Sequence, residues 1–222
     1  MKQDTTLFII LMVLAIATGC RKKDPVPPDN AYLKSYSLTN IQNAIVKDAK
    51  CGIDLSNGVL YTVPEGYQHQ NNVDIAYGYM NYGPDPRYER CFLALSYAAC
   101  ACGGSSGFSY GDQNNPRTGY NSYSVRNKTR LKMSATAVDF DAAKFFTAKE
   151  QFDAIFQATD NAASADEAFF SSQDNLAPNP YVFFQTVSGK RGIIRIKGYT
   201  KNIGTDYQLQ TNPINIDVLI EK

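Results

Sequence analysis

Apolar and polar residues alternate along much of this chain, and that pattern predicts strands. A period of two places every second side chain on one face of a sheet, where it can be buried. The clearest case is the segment Ile214–Ile220, in which apolar residues at even positions alternate with Asn215 and Asp217. The same reading predicts strands at residues 32–38, 53–55, 59–61, 73–80, 92–97, 181–187 and 192–199.

Turn residues connect these strands into hairpins. Asn57-Gly58 follows Ser56 between two predicted strands, and this pair favours a tight hairpin because both residues accept a positive φ. Ser188–Arg191 forms a second turn, and Asn202–Asp206 lies at the tip of a third hairpin. Strands joined by short turns run antiparallel, so the chain is predicted to be mostly β.

A small helical insertion is predicted at about 147–171. Thr147-Ala148-Lys149-Glu150 has the spacing of a capping box, and Phe152, Ile155 and Phe156 follow on one helical face. Ser164–Glu167 repeats the box before 168–170, which predicts a second short helix. The predicted fold is therefore a β-sandwich or a barrel-like antiparallel sheet with a helical insertion, with α+β as the alternative class.

The N-terminus has the pattern of an export signal over residues 1–19. Lys2 is followed by the apolar run Leu7–Ala17, whose 11 residues fall short of the roughly 20 that a membrane-spanning helix needs. Ala17-Thr18-Gly19-Cys20 resembles the lipobox of bacterial lipoproteins, although Ala17 stands where Leu is usual. This resemblance implies acylation at Cys20, and an ordinary cleaved signal is the alternative.

Residues 20–30 are predicted to be a tether, because charge and proline prevent this stretch from burying a core. Arg21 differs from the Asp that favours inner-membrane retention, so we expect an outer-membrane lipoprotein, with the periplasmic side and the cell surface both open. Residues 31–222 are enough for one β-rich domain and too few for two of ordinary size.

Two segments of the domain resemble recurring stretches of uncharacterised Bacteroidota outer-membrane lipoproteins. The first is Ile53–Thr62 followed by Val73–Tyr77, and the second runs from Phe184-Gln185-Thr186 to Gly189–Ile196. The resemblance implies a lipid anchor and a β-rich domain. It implies no catalytic residues.

Charge excludes a nucleic-acid partner, since the chain has a formal net charge of +1 and no strong block of either sign in the domain. The four domain cysteines are Cys51, Cys91, Cys100 and Cys102, which export predicts to be paired in disulfides or buried as small residues. Four cysteines allow three pairings. A zinc site is disfavoured because no Cys-x-x-Cys is present, and no cofactor is predicted.

Catalytic signatures are weak. His69 is the one histidine of the chain and lies in a polar stretch, which favours a solvated side chain over a Cys–His or Ser-His-Asp centre. Carboxylates for hydrolysis of a glycoside are available, but no pair is singled out among Asp54, Asp74, Asp139, Asp141, Glu150, Asp153, Asp166 and Glu167. The turn after Asp54 lacks the ligand series of a calcium loop.

Tyrosine-rich polar loops are the strongest indication of binding. Tyr rings among Ser, Gly and Asn form a rigid aromatic surface with adaptable hydrogen bonding, which suits the C–H faces and hydroxyls of a sugar. The alternative is that these tyrosines pack across the sheet. The predicted ligand-binding residues are Tyr79, Tyr82, Tyr110, Asp112, Asn114, Arg117, Tyr120 and Tyr123.

The sequence thus predicts a lipid-anchored, exported binding module without catalytic activity, with a glycan as the favoured ligand. A structural or partner-docking component of an outer-membrane assembly is the first alternative. A hydrolase with an unrecognised carboxylate pair is the second.

Overall fold

The computed structural model describes residues 25–43, 48–82, 87–95, 123–134, 137–156, 167–169, 181–197 and 213–222. Within these ranges the strands are β1 (Leu33–Ile41), β2 (Lys50–Asp54), β3 (Val59–Thr62), β4 (Ile75–Tyr82), β5 (Arg87–Ala94), β6 (Arg130–Met133), β7 (Glu167–Phe169), β8 (Tyr181–Gln185), β9 (Arg191–Lys197) and β10 (Ile214–Glu221). The helices are short, namely α1 (Val63–Gln68), α2 (Phe140–Ala143) and α3 (Lys149–Asp153).

The strands form two antiparallel sheets. Sheet 1 has the order β1-β10-β9-β8-β6, and sheet 2 has the order β3-β2-β4-β5-β7. The predicted hairpins are present: β2 pairs with β3 and β8 pairs with β9, both antiparallel. Gly58 and Gly189 lie in the two turns with φ of +72° and +86°, a conformation that glycine adopts without steric cost.

The two sheets pack face to face around one apolar layer. Ile53, Ile75 and Tyr77 of sheet 2 meet Ile194, Val218 and other residues of sheet 1 in a single cluster of buried side chains. Because neighbouring side chains of a strand point to opposite faces, the inner-facing residues alternate with residues that face outward. The mostly β fold class is confirmed, and the described strands form a sandwich and not a closed barrel.

The outer face of sheet 1 is covered by α2 and α3. Phe140 of α2 and Phe152 of α3 pack with Phe183, Ile193 and Leu219 of the sheet. The alternation in β10 therefore buries both faces, because Leu219 is directed toward the helices while Val218 and Ile220 face the sandwich interior.

The outer face of sheet 2 is covered by α1 and the segment near Tyr123. Tyr123 packs with Cys51, Val73 and Leu93, and its hydroxyl donates a 2.7 Å hydrogen bond to the carbonyl oxygen of Val63. A Cβ at Gly66 would lie 2.4 Å from that hydroxyl, so glycine is required in α1 for Tyr123 to fit.

The helical predictions need two corrections. Residues 167–169 form strand β7 beside β5, where the sequence indicated a second helix, because the apolar run Ala168-Phe169 completes sheet 2. Helix α3 begins one residue later than predicted. The side chain of Gln151, and not Glu150, accepts hydrogen bonds from the backbone N–H groups of Thr147 and Ala148.

Helix α1 was not predicted from the sequence, although its start signal is present. The Thr62 hydroxyl accepts from the Glu65 backbone N–H at 3.3 Å, and the Glu65 carboxylate accepts from the Thr62 N–H at 2.9 Å. This reciprocal pair is a capping box, and Pro64 occupies the first turn where a missing N–H costs nothing. The helix is only six residues long, too short for a period of 3.6 to stand out.

One strand prediction is shifted along the chain: β5 spans residues 87–94, where the sequence predicts a strand at 92–97.

None of the helices in the described ranges has the length and apolar character that crossing a bilayer requires. The predicted signal over 1–19 and the lipidation residue Cys20 lie outside the described residues.

Candidate functional site

A polar pocket of about 290 Å³ opens at one end of the sandwich, where hairpin turns from both sheets meet. The β2–β3 turn forms one side and the β8–β9 turn forms another. The remaining walls come from the segment before β4 and from the segment before β6. The lining residues are Asp54, Ser56, Asn57, Asn71, Asn72, Asp74, Asn127, Val187 and Ser188.

Asp54 ends β2 and closes the Asn-Gly turn. Its two carboxylate oxygens accept hydrogen bonds from the backbone N–H and the side-chain Nδ2 of Asn57, both at 2.8 Å. Its backbone carbonyl accepts from the Gly58 N–H at 2.9 Å. Asp is favoured at this place because its short side chain satisfies turn N–H groups, and here the result is a carboxylate only 1% exposed.

Asp74 precedes β4 and reaches across to the same turn. Its Oδ2 accepts a 2.9 Å hydrogen bond from the Leu55 backbone N–H, and its own N–H donates to the Ile53 carbonyl at 2.9 Å. The side chain is 6% exposed. Two buried carboxylates from different strands therefore converge at the pocket.

Asn127 connects the pocket wall to the loop before β4. Its Nδ2 donates to the carbonyl oxygens of Asn71 and Val73 at 3.0 and 2.9 Å. Both amide protons are used, so Oδ1 is left as an acceptor with no hydrogen bond to any described residue. Asn127 is 9% exposed, and the two bonds fix its position against the pocket.

Asn71 and Asn72 form the solvent side of the pocket. Both are exposed, and neither side chain forms a hydrogen bond within the described ranges. An amide offers two donors and an acceptor. These two residues therefore present unpaired donors and acceptors to anything that enters.

The electrostatic environment of the pocket raises the pKa of Asp74 to about 7. Burial is the largest cause, because the charged form loses hydration, and the negative charge of Asp54 raises the pKa further. The Leu55 N–H opposes these effects. Burial also raises the pKa of Tyr36, and the charges of both carboxylates add to that rise.

Two hydroxyl groups lie beside the carboxylates. The Tyr36 hydroxyl on β1 donates to the Leu55 carbonyl oxygen, which fixes the back of the turn. The Thr129 hydroxyl is near enough to lower the pKa of Asp74, yet it forms no hydrogen bond of normal geometry with any described residue. Thr129 is therefore a buried hydroxyl without a fixed hydrogen-bond partner among the described residues.

None of the described residues that line the pocket is basic. Neither Asp54 nor Asp74 forms an ion pair with a described residue. The nearest basic group in the hydrogen-bond network is Lys34, whose Nζ donates to the Ser56 carbonyl oxygen at 3.3 Å and lies over the Tyr36 ring. Lys34 does not line the pocket.

Of the residues predicted to bind ligand, Tyr123 is the one whose side chain is described, and it is buried. Its ring is 1% exposed, and its hydroxyl is bonded to the Val63 carbonyl oxygen. The tyrosine was placed in a polar loop because the residues before it are polar. Its ring instead supplies the apolar cover that sheet 2 needs.

The other predicted binding residues are not tested. Tyr79 and Tyr82 lie on β4, opposite Arg90 and Arg87 of β5 in the strand register. Their side chains are outside what the structure describes. The loop residues Tyr110, Asp112, Asn114, Arg117 and Tyr120 also lie outside the described residues.

The two described domain cysteines, Cys51 and Cys91, do not form an accessible centre with His69. Cys51 and Cys91 are fully buried in the cluster on the outer face of sheet 2, and His69 is exposed, with its ring stacked on Tyr61. Strand β4 separates β2 from β5, which places Cys51 and Cys91 about 9.5 Å apart, too far for a disulfide. The two remaining pairings involve Cys100 and Cys102, outside the described residues.

A metal site of the usual kind is also not found in the part of the chain that the structure describes. There, no three His, Cys, Asp or Glu side chains are grouped so that they could hold an ion. The pocket supplies two carboxylates, and its other groups are amides and hydroxyls.

The sequence contained part of the signal for this pocket. The turn at Asn57-Gly58 is predicted from the sequence with Asp54 beside it, and Asp74 is one of eight carboxylates that the sequence offers without preference. The sequence does not show that β2 pairs with both β3 and β4, which brings Asp54 and Asp74 to the same end of the sheet although they are 20 positions apart in the chain.

Comparison with known proteins adds no relative, since no family model, no curated protein and no solved structure matches this chain.

Proposed function

We propose that this protein is a lipid-anchored, exported binding module that takes a glycan in the polar pocket. The supporting observation is the pocket itself, which presents amides, hydroxyls and carboxylates on rigid turns. Sugar hydroxyls are both donors and acceptors, so they pair well with such a mixture. The exposed side chain of Val187 offers an apolar surface for a sugar C–H face.

The rigidity of the pocket favours binding over a purely structural role. Asp54 and Asn127 are each fixed by two hydrogen bonds, so a ligand meets groups whose positions are already set. Preorganised groups lose little conformational entropy on binding. The apolar residues that remain exposed, such as Val26, Val59 and Phe145, are scattered along the chain. Their spacing in the sequence gives no support to an apolar docking surface, which a structural role would use.

Hydrolysis is the second candidate, because Asp54 and Asp74 share the pocket and Asp74 has the raised pKa of a general acid. Its weakness is that both carboxylates already accept hydrogen bonds from the β2–β3 turn. A catalytic acid and nucleophile need oxygen atoms directed at the substrate. We therefore favour binding without bond cleavage.

The first experiment is a glycan array probed with the full-length protein, purified from membranes in a zwitterionic, sugar-free detergent. The test variant is Asn71→Ala/Asn72→Ala, which removes two exposed amides that form no hydrogen bond in the described fold. We expect the parent to bind a subset of glycans and the variant to lose at least about tenfold in affinity, as expected when two or more hydrogen bonds are lost.

The matched control is Glu150→Ala, an exposed residue of α3 on the opposite side of sheet 1. It should bind as the parent does. Equal binding by the parent and the double-alanine variant would exclude the pocket and direct attention to the tyrosine-rich loops. Reducing ends released from a bound glycan over hours would instead favour the hydrolase.

The membrane anchor is proposed separately and has its own test. Cys20→Ala should move the protein from the outer-membrane fraction to the soluble periplasmic fraction and abolish labelling by a radioactive fatty acid. A variant that stays in the membrane fraction would contradict lipidation at Cys20.

A further inference from the structure

We infer that the polar pocket selects ligands with a protonated amine, so that its preferred sugars are amino sugars with a free ammonium group. This inference deepens the proposed function and depends on it. It comes from the charge of the pocket together with its shape.

The cavity is acceptor-rich on its inner side. Asp54 and Asp74 contribute the negative charge of two almost fully buried carboxylates whose oxygens already accept hydrogen bonds from the β2–β3 turn, and Asn127 contributes an Oδ1 that accepts no hydrogen bond from the described residues. An ammonium group carries three N–H donors and no acceptor. It therefore matches this side of the pocket better than a hydroxyl, which brings one donor.

The pocket also lacks a counter-charge. Among the described residues, no Lys, Arg or His lines it, and the Lys34 ammonium is bound to the Ser56 carbonyl oxygen outside. Two like charges in a partly dehydrated site repel each other and lose hydration. A cationic ligand removes the repulsion, whereas a uronic or other acidic sugar adds to it.

The volume of the pocket favours an amino sugar over a bare metal ion as the ligand. The cavity has a volume of about 290 Å³, far more than one ion occupies, and its outer walls carry the free amides of Asn71 and Asn72. A polyol chain or ring attached to the ammonium group can use those amides. A bare ion leaves them unpaired.

The test uses three probes that share one six-carbon polyol chain. These are glucamine with an ammonium group, sorbitol with a neutral hydroxyl, and gluconate with a carboxylate. Calorimetric titrations of the full-length protein at pH 8, low salt and with a chelator should give glucamine at least about tenfold tighter binding than sorbitol, the size of a modest charge interaction. Gluconate should bind weakest.

Asn72 allows the charge of the pocket to be changed without disturbing the core, because its side chain is exposed and unpaired in the described fold. Asn72→Asp should increase the preference for glucamine over sorbitol. Asn72→Lys should reduce that preference, because one added ammonium group offsets the charge of one of the two carboxylates. Asp74→Asn keeps an acceptor for the Leu55 N–H and should reduce the preference several-fold. Glu150→Gln is the control and should leave the order unchanged.

Each result has one meaning. Equal binding of all three probes would overturn the charge selection and leave glycan binding intact. Binding of calcium in a separate titration without the chelator, abolished by Asp74→Asn and accompanied by no preference for glucamine, would replace the inference with a metal site. If the arrays show glycan binding that depends on Asn71 and Asn72 while no probe binds, the inference fails and the proposed function stands.

Discussion

Two groups of acidic residues in this molecule differ in whether their carboxylates form ion pairs. On the outer face of sheet 1, a charged network joins Arg191, Arg195 and Lys197 to four carboxylates, those of Asp141, Asp153, Asp217 and Glu221. At the end of the sandwich, Asp54 and Asp74 are more deeply buried and have no basic partner among the described residues.

The pKa values of Asp141 and Asp217 are lowered by the basic side chains bonded to them, and the pKa of Asp74, which has no such partner among the described residues, is raised. Arg195 and Lys144 lower the pKa of Asp141 to about 2 through hydrogen bonds and charge. For Asp217, burial raises the pKa, but the bonds from Lys197, Ser37 and Arg195 outweigh it and the pKa is lowered. For Asp74, burial and the charge of Asp54 dominate, and the pKa rises to about 7.

The ion pairs on the outer face of sheet 1 and the carboxylates of the pocket contribute differently to the fold. The network also stacks its cations on aromatic rings, since the Arg195 guanidinium lies 4.5 Å from the Phe140 ring centroid and Arg191 lies over Phe152 and Phe156. It therefore holds α2 and α3 on sheet 1. The pocket carboxylates bond only to the β2–β3 turn among the described residues, and buried carboxylates without a basic partner are the arrangement that our proposed binding site would use.

The largest expected effect concerns Asp74 and pH. Because its folded pKa of about 7 lies above the ordinary Asp value of 3.8, the folded protein holds a proton that the unfolded chain has released between these pH values. Stability should then fall by a few kcal/mol from about pH 4 to pH 8, at about 1.4 kcal/mol per pKa unit. Asp74→Asn should flatten this slope in urea unfolding curves. A slope equal to that of the parent would contradict the raised pKa.

The second largest effect should come from Arg195→Ala. The change removes both the bonds to Asp217 at 2.7 and 3.2 Å and the contact with Phe140, and leaves Asp217 with Lys197 and Ser37. We expect a loss of about 2 kcal/mol, less than for a fully orphaned buried charge. Chemical denaturation at pH 7 measures it. Arg195→Lys, which keeps the charge without the planar fork, should lose less; an equal loss would show that charge contributes nothing.

A smaller effect should follow from Tyr123→Phe, which tests whether Tyr123 belongs to the core or to a ligand site. The change leaves the Val63 carbonyl oxygen without its 2.7 Å hydrogen bond, at a cost of about 1 kcal/mol. Glycan binding should be unaffected. A variant of unchanged stability that binds poorly would return Tyr123 to the binding surface.

The smallest effect should be that of Asp141→Asn. Asp141 is paired with Arg195 and Lys144, but its side chain is 65% exposed, so solvent screening limits the gain to below about 1 kcal/mol. A lowered carboxyl pKa contributes stability above the unfolded value of 3.8 that is lost as the pH falls toward 2. Parent and variant should therefore differ near pH 6 and converge near pH 2 in thermal melts. A difference that persists at pH 2 would contradict this origin.

Strand positions were largely predictable, because burial of one face leaves a period of two in the sequence. β10 and the β2–β3 hairpin follow directly from Ile214–Ile220 and from Asn57-Gly58. The 167–169 segment was assigned to a helix because a capping box and apolar residues fit either structure when the segment is short. Its pairing with β5 decided the outcome, and such pairing is a tertiary fact.

By itself, the sequence determined the β-rich class and the two glycine turns, since each depends on residues that are close in the chain. Only the tertiary structure decided that Asp54 and Asp74 share a pocket with Asn127, that Tyr123 is buried, and which aspartates meet arginine. The reason is physical: the pKa of a carboxylate and the exposure of a ring depend on neighbours in space, and antiparallel pairing of strands brings together residues that are far apart in sequence.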